Sequence, residues 1–382
     1  PVMRLALGVL DKLSAGDGSG AVEDYARLFY ALRSAGSRSL GEWLDGRLRD
    51  RESPYAALVE RGGEDPALEA AARRDIETFT LLAELDWDQV LAEVGGKAPR
   101  EYGPVLANLP RWRGSSPFSF AELTEFYRAN GAGLFARHRA FLWEDGALCP
   151  VEQPDCPGAD EMLGYELQRN RVIANTRAML EGNLVNNVLL YGDSGTGKSA
   201  TVKNLLTLPG FEALRLIEVQ KEGLADLPRL IRTLGGRRLK FILFIDDLAF
   251  DQDDKTYSAL KTILEGGLER RPANVAVYAT SNRRRLVRQT FSDRAGDEVD
   301  ASETIQEKTS LSDRFGLRIP YLALNQAEFL ELVEGMAEQA GIALDRDSLR
   351  AEAVKWEMRN PGRTPRTAKQ FIASLSVRRG QI

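Results

Sequence analysis

The chain has 382 residues, 43% hydrophobic and 28% charged, the balance of an ordinary globular protein long enough for two or three compact units. Its formal net charge of -5 argues against a polyanion-binding surface spread over the whole chain. One histidine, His138, excludes a His-based metal centre and a Ser-His-Asp triad, and two cysteines, Cys149 and Cys156, make no disulfide framework.

Residues 1–147 read as an N-terminal helical domain. Val22, Tyr25, Ala26, Leu28, Phe29 and Leu32 recur at helical spacing, as do Ile76, Phe79, Leu82 and Leu85 after Pro66. Ser119 followed by Glu122 is a capping pattern that opens another helix. No catalytic constellation stands out here, the aromatics read as core, and the Gly/Ser-rich stretch 14–20 reads as a loop. Pro150, Pro154 and Pro157 then mark a boundary.

A second domain is expected over 148–324. It opens with a helix over 160–181, closed by Gly182 and Asn183. Short apolar runs follow at 187–191, 214–219, 241–245 and 275–280, separated by helical stretches. Strands buried on both faces have this composition, and the alternation implies a parallel sheet with helices on both sides. Residues 325–382 return to helical spacing through Phe329, Leu332, Val333, Met336, Phe371, Ile372 and Leu375. No apolar stretch reaches about 18 residues and no basic-then-apolar leader opens the chain, so a cytoplasmic protein with no membrane partner is expected.

The chemistry concentrates in the second domain. Gly192, Asp193, Ser194, Gly195, Thr196, Gly197, Lys198 and Ser199 fit GxxxxGK[ST] at every fixed position, between a strand and a helix that continues through Ala200. Glycines let backbone N–H groups turn toward phosphates, and the helix N-terminus adds positive potential. Lys198 is expected to be an exposed loop-end cation reaching the β- and γ-phosphates of ATP, with the Ser199 hydroxyl on Mg²⁺. The run 241–245 ends in two carboxylates. Asp246 is placed to hold Mg²⁺, and Asp247 to polarise an attacking water. Asn282, which ends the next apolar run, is a candidate to orient that water, although an Asn there also starts a turn.

Arg270, Arg271, Arg283, Arg284, Arg285 and Arg288 form the densest basic region. A nucleic-acid backbone contact is one reading. A solvated face balanced by Asp293, Asp297, Glu298 and Asp300 is the preferred one.

The order of these motifs, followed by Leu311, Ser312, Asp313, Arg314, Phe315 and Gly316 and a helical tail, resembles the AAA+ P-loop ATPases. Leu163-Gly164-Tyr165-Glu166, the run from Asn186 to Gly192, the run from Ala279 to Arg284, and Glu307-Lys308 leading to Leu317 resemble an uncharacterised bacterial AAA+ family, a domain of unknown function. The resemblance implies a doubly wound α/β P-loop domain with a C-terminal helical lid over 325–382, and ATP and Mg²⁺ as cofactors. It implies that Asn282 is sensor 1, that Arg314 is a finger completing a neighbouring subunit's site, and that Arg366 is sensor 2. Leu163, Gly164 and Tyr165 would lie against the adenine, and the residues from Gly192 to Ala200 would hold the phosphates. A homo-oligomer formed with ATP and an unidentified protein partner follow from the same resemblance.

Two departures from the family bear on mechanism. Asp247 stands where most AAA+ motors have Glu, so slow or partner-dependent hydrolysis is expected. The loop Gln220-Lys221-Glu222-Gly223-Leu224 lacks the aromatic residue of polypeptide-threading members. Three readings follow, namely a slow ATPase that remodels or loads a partner, a nucleotide-gated scaffold with little turnover, and an initiator-like DNA-associated ATPase.

Overall fold

In the computed structural model, which describes residues 1–112, 114–249, 260–261, 263–264, 271–282, 311–360 and 362–379, the four apolar runs expected as strands form the centre of one sheet. Its strands are β1 (Ala140–Glu144), β2 (Ala147–Pro150), β3 (Val188–Gly192), β4 (Leu214–Val219), β5 (Lys240–Ile245), β6 (Val275–Ser281) and β7 (Leu317–Tyr321). They lie in the order β2-β1-β4-β5-β6-β3-β7. All pairs are parallel except β1 with β2.

The central strands are covered on both sides, and this is why their sequences are mostly apolar rather than alternating, although Arg215 and Glu218 interrupt β4. Every residue of β6 is buried. Val188, Leu190, Ile242, Phe244 and Ala276 share one core with Val172 and Met179 of the helix Glu166–Leu180. The Tyr278 hydroxyl in that core is satisfied by Thr176 at 2.8 Å and by the Asn175 amide at 2.9 Å. β3 sits between β6 and β7, so the chain leaves it at a reversal of strand order, where such sheets open a crevice beyond their carboxyl ends. This is the doubly wound α/β P-loop arrangement that the resemblance implied.

Three strands were not among the expected runs. β1 and β2 fall where helix and then linker were expected, and β1 pairs with β4 through Phe141 and Ile217. The compact units accordingly run 1–137 and 138–382, so the stretch before residue 148 supplies the sheet rather than the helical domain. β7, at the opposite border, carries Pro320 as β2 carries Pro150. The helix expected over 160–181 begins only at Glu166, because Gly164 (φ 76°) and Tyr165 (φ 53°) both occupy the left-handed region and break it.

The unit 1–137 holds nine α-helices among its described residues. Tyr25 stacks on Trp112 at 4.9 Å in its core and donates to Pro110 O at 2.8 Å. The stretch expected as a loop over 14–20 is only a short turn, since Asp17 caps a helix that starts at Gly18. Three helices, Gln326–Gln339, Arg346–Arg359 and Pro365–Arg379, form the lid around Phe329, Val333, Ala353 and Phe371. A complete capping box of Asn325 and Glu328 starts the first of them. No helix among the described residues is long and apolar enough to cross a membrane.

Candidate functional site

The glycine-rich loop follows β3 and runs directly into the helix Lys198–Asn204. Gly192 must be glycine. Its φ is 134°, and a Cβ there would sit 2.2 Å from the carbonyl oxygen of Tyr321, the same oxygen that accepts the Asp193 N–H at 2.9 Å. Gly192→Ala should lower stability by about 1–3 kcal/mol through this overpacking. A urea unfolding midpoint equal to wild type would contradict the assigned backbone.

Gly195 allows a second close approach, with the Cβ of Arg366 at 3.0 Å from where its own would be. Its carbonyl accepts the Arg366 N–H at 3.2 Å, so the start of the last lid helix rests on the loop. The Asp193 carboxylate accepts the N–H of Ala323 at 2.6 Å, just beyond β7. The entry to the lid and the start of its last helix are therefore tied to the same loop. No side chain caps the helix at Gly197, so the first N–H groups of that helix have no side-chain acceptor.

Lys198 corrects an expectation. It is buried, 6% exposed, rather than an exposed loop-end cation. Its ammonium donates to Asp193 O at 2.6 Å, to Gly192 O at 3.2 Å and to Asn282 Oδ1 at 2.9 Å. Burial pulls its pKa below the ordinary lysine value, while Asp193, Asp247 and Asp246 oppose that pull.

Of the two carboxylates after β5, Asp247 meets this lysine through Asn282, whose amide nitrogen donates to Asp247 Oδ1 at 2.8 Å. Asp246 Oδ1 accepts the Ser199 hydroxyl at 2.6 Å, and it also accepts the Thr280 hydroxyl. Asp247 has φ 50°, a conformation rare outside glycine but tolerated by Asp and Asn. Its N–H donates to Thr280 Oγ1 at 2.9 Å.

These groups line a cleft of ≈ 520 Å³ whose other walls include Leu163, Gly164, Tyr165, Arg366 and Lys369. Ser194, Gly195, Thr196, Gly197, Ser199 and Ala200 line it too, whereas Gly192 and Asp193 stand behind it as supports. Tyr165 stacks on Tyr321 at 5.1 Å and donates to Leu322 O at 2.5 Å, and burial pushes its phenol up. Arg314 is not among the residues lining this cleft, and the neighbouring Asp313 pairs with Arg318 at 2.7 Å. Of the basic region, Arg271 donates to Val185 O at 2.7 Å and to Asn187, below the sheet core. Arg270, Arg283, Arg284, Arg285 and Arg288, with Asp293, Asp297, Glu298 and Asp300, lie outside the described residues.

The donor set fits a hydrated magnesium that arrives with phosphates. Ser199 uses its proton on Asp246 and keeps its lone pairs, while no described residue donates to Asp246 Oδ2. Magnesium sites of this sort use one or two protein oxygens, with waters and phosphates completing the shell. No group of three or more His, Cys, Asp or Glu among the described residues could hold a metal by itself. Thr280 was not anticipated. A hydroxyl inside a buried strand reads as core, and its only signal was its position two residues before Asn282, on the same face of the strand.

The family described as "Protein of unknown function (DUF815)" matches residues 136–379. No curated protein matches the chain. Among solved structures, the Thermotoga maritima RuvB Holliday junction branch migration motor is similar at 17% identity over 58% of this chain and 63% of its own, with a TM-score of 0.36. The Aeropyrum pernix Orc1 protein in complex with DNA is similar at 17% identity over 58% and 62%, with a TM-score of 0.41. The chain thus spans less than two thirds of either protein's structure.

Proposed function

Since this chain belongs to the family described as a protein of unknown function (DUF815), we propose from its cleft that it is a magnesium-dependent ATPase with slow turnover, coupled to the remodelling or loading of a macromolecular partner. The observation that carries the reading is the Lys198–Asn282–Asp247 chain of hydrogen bonds, set between a glycine-rich helix N-terminus and Asp246. ATP with Mg²⁺, when bound, supplies the γ-phosphoryl group and the charge that screens it.

Each residue then has a defined task. The N–H groups from Gly195 to Ser199 hold phosphate oxygens at the helix start. Lys198 neutralises charge between the β- and γ-phosphates, and Arg366 adds positive potential from the lid. Ser199 and Asp246 would hold the metal, Asp247 would polarise the water, and Asn282 would position it. Leu163, Gly164 and Tyr165 pack on the adenine. Asp247 has a shorter arm than a glutamate, which favours slow hydrolysis.

The test is calorimetric titration with ATP and Mg²⁺. Lys198→Ala should weaken binding by about 100-fold or more, the worth of one to two charge-assisted hydrogen bonds to phosphate. Because Lys198 is buried, its removal also takes a donor from Gly192 O, Asp193 O and Asn282 Oδ1, of which Asp193 O keeps the Thr196 hydroxyl at 2.8 Å. The variant's thermal midpoint must therefore be read alongside its affinity. Equal affinity in a folded variant would sink the assignment.

A further inference from the structure

Consecutive residues of an extended strand point to opposite faces, yet Asp246 and Asp247 both line the one cleft. The reason is local. β5 ends at Ile245, and Asp247, the second residue beyond it, turns into the left-handed region, which swings its carboxylate back to the side of Asp246. The turn is held by the neighbouring strand. A single hydroxyl, that of Thr280 on β6, donates to Asp246 Oδ1 and accepts the N–H of Asp247 at 2.9 Å. The Thr280 carbonyl then takes the N–H of Leu248 at 2.7 Å, closing the turn from its far side.

We propose that Thr280 is the positioning residue of this site, whose one hydroxyl sets the metal-holding carboxylate and the water-polarising carboxylate in register. The proposal rests on the ATPase reading above and deepens it. Thr280 acts through the two aspartates, both of which its hydroxyl contacts. By occupying Asp246 Oδ1 together with Ser199, it leaves Oδ2 as the oxygen to which no described residue donates. By fixing the Asp247 N–H, it holds Asp247 Oδ1 against the Asn282 amide. One hydrogen bond therefore bears on magnesium affinity and the other on turnover. Substitutions behind a metal ligand cost roughly 10- to 100-fold in metal affinity or activity.

Two variants of the full chain separate this role from packing. Thr280 is 2% exposed, so shape matters as well as hydrogen bonding. Thr280→Val keeps the branched shape and removes the hydroxyl, while Thr280→Ser keeps the hydroxyl and removes the methyl. The measurements are the Mg²⁺ concentration giving half-maximal binding of a fluorescent ATP analogue, the kcat and KM for phosphate release, and the thermal midpoint without nucleotide.

Thr280→Val is expected to raise the Mg²⁺ half-saturation and to lower kcat, each by roughly 10- to 100-fold, with KM for ATP at saturating Mg²⁺ unchanged. Thr280→Ser is expected to restore both. A valine variant equal to wild type, with the serine variant the weaker of the two, overturns the proposal, because packing would then be the role. Losses that merely follow the thermal midpoint overturn it as well. A wild-type chain that binds ATP with Mg²⁺ and releases no phosphate refutes the hydrolytic reading alone, and the Mg²⁺ half-saturation still decides Thr280.

Discussion

Asp247→Asn is expected to lower phosphate release by about 100- to 10,000-fold while ATP and Mg²⁺ bind as before, the range a positioned general base commonly supplies. The substitution is conformationally clean. Asn tolerates the left-handed backbone that Asp247 adopts, and its side chain has the same shape. Asp246 and Ser199 keep their mutual hydrogen bond, so the magnesium donors stay in place. Only the charge is lost, and with it the pull on the water's proton. Single-turnover phosphate release, set beside titration of the same sample, measures both halves of the claim. Wild-type turnover in the variant would remove Asp247 from the reaction and move attention to Asp193. That carboxylate is already engaged by Ala323, which makes it the poorer base.

Arg314→Ala is expected to cut turnover by about 10³- to 10⁵-fold, the worth of an arginine supplied to a γ-phosphate, with ATP affinity little changed. Arg314 lies just before β7 and does not line the cleft of its own chain, so its effect should require a second copy. Contacts of this head-to-tail kind build rings or filaments rather than two-fold dimers. Mixing Arg314→Ala with Lys198→Ala subunits should then recover part of the activity, because some interfaces pair an intact loop with an intact arginine. A mixture that stays inactive, from chains that remain monomeric at every ATP concentration, would remove the trans role.

Much of the sheet could be read directly from the residues, and the exceptions have a common cause. β3 to β6 are covered on both faces, so their runs are mostly apolar, although Arg215 and Glu218 interrupt that of β4. β1 is five residues long and turns at once through Asp145 and Gly146 into β2, whose pattern is half exposed. β7 reads Leu-Arg-Ile-Pro-Tyr, and a proline in so short a run argues against a strand unless that strand is at a border. Border position is a property of the whole sheet and cannot be read from five residues. The site divides in a similar way. The motif names the chemistry of Lys198 without telling its burial, which depends on Gly192, Asp193 and Asn282 closing around it. Thr280 is a core threonine in sequence and becomes part of the site only because β6 lies beside β5.

The two outermost described strands each carry a proline, Pro150 in β2 and Pro320 in β7. A proline brings no N–H to a ladder, and natural sheets use this to blunt their exposed borders. Neither border offers an incoming chain an uninterrupted row of donors and acceptors, so strand-by-strand growth of one copy onto another is disfavoured at both ends. Copies of this chain that join are therefore expected to do so through side chains rather than by extending the described sheet. Such joints respond to salt and to single substitutions and can come apart again, unlike a continuous β-seam, whose main-chain bonds no substitution can tune.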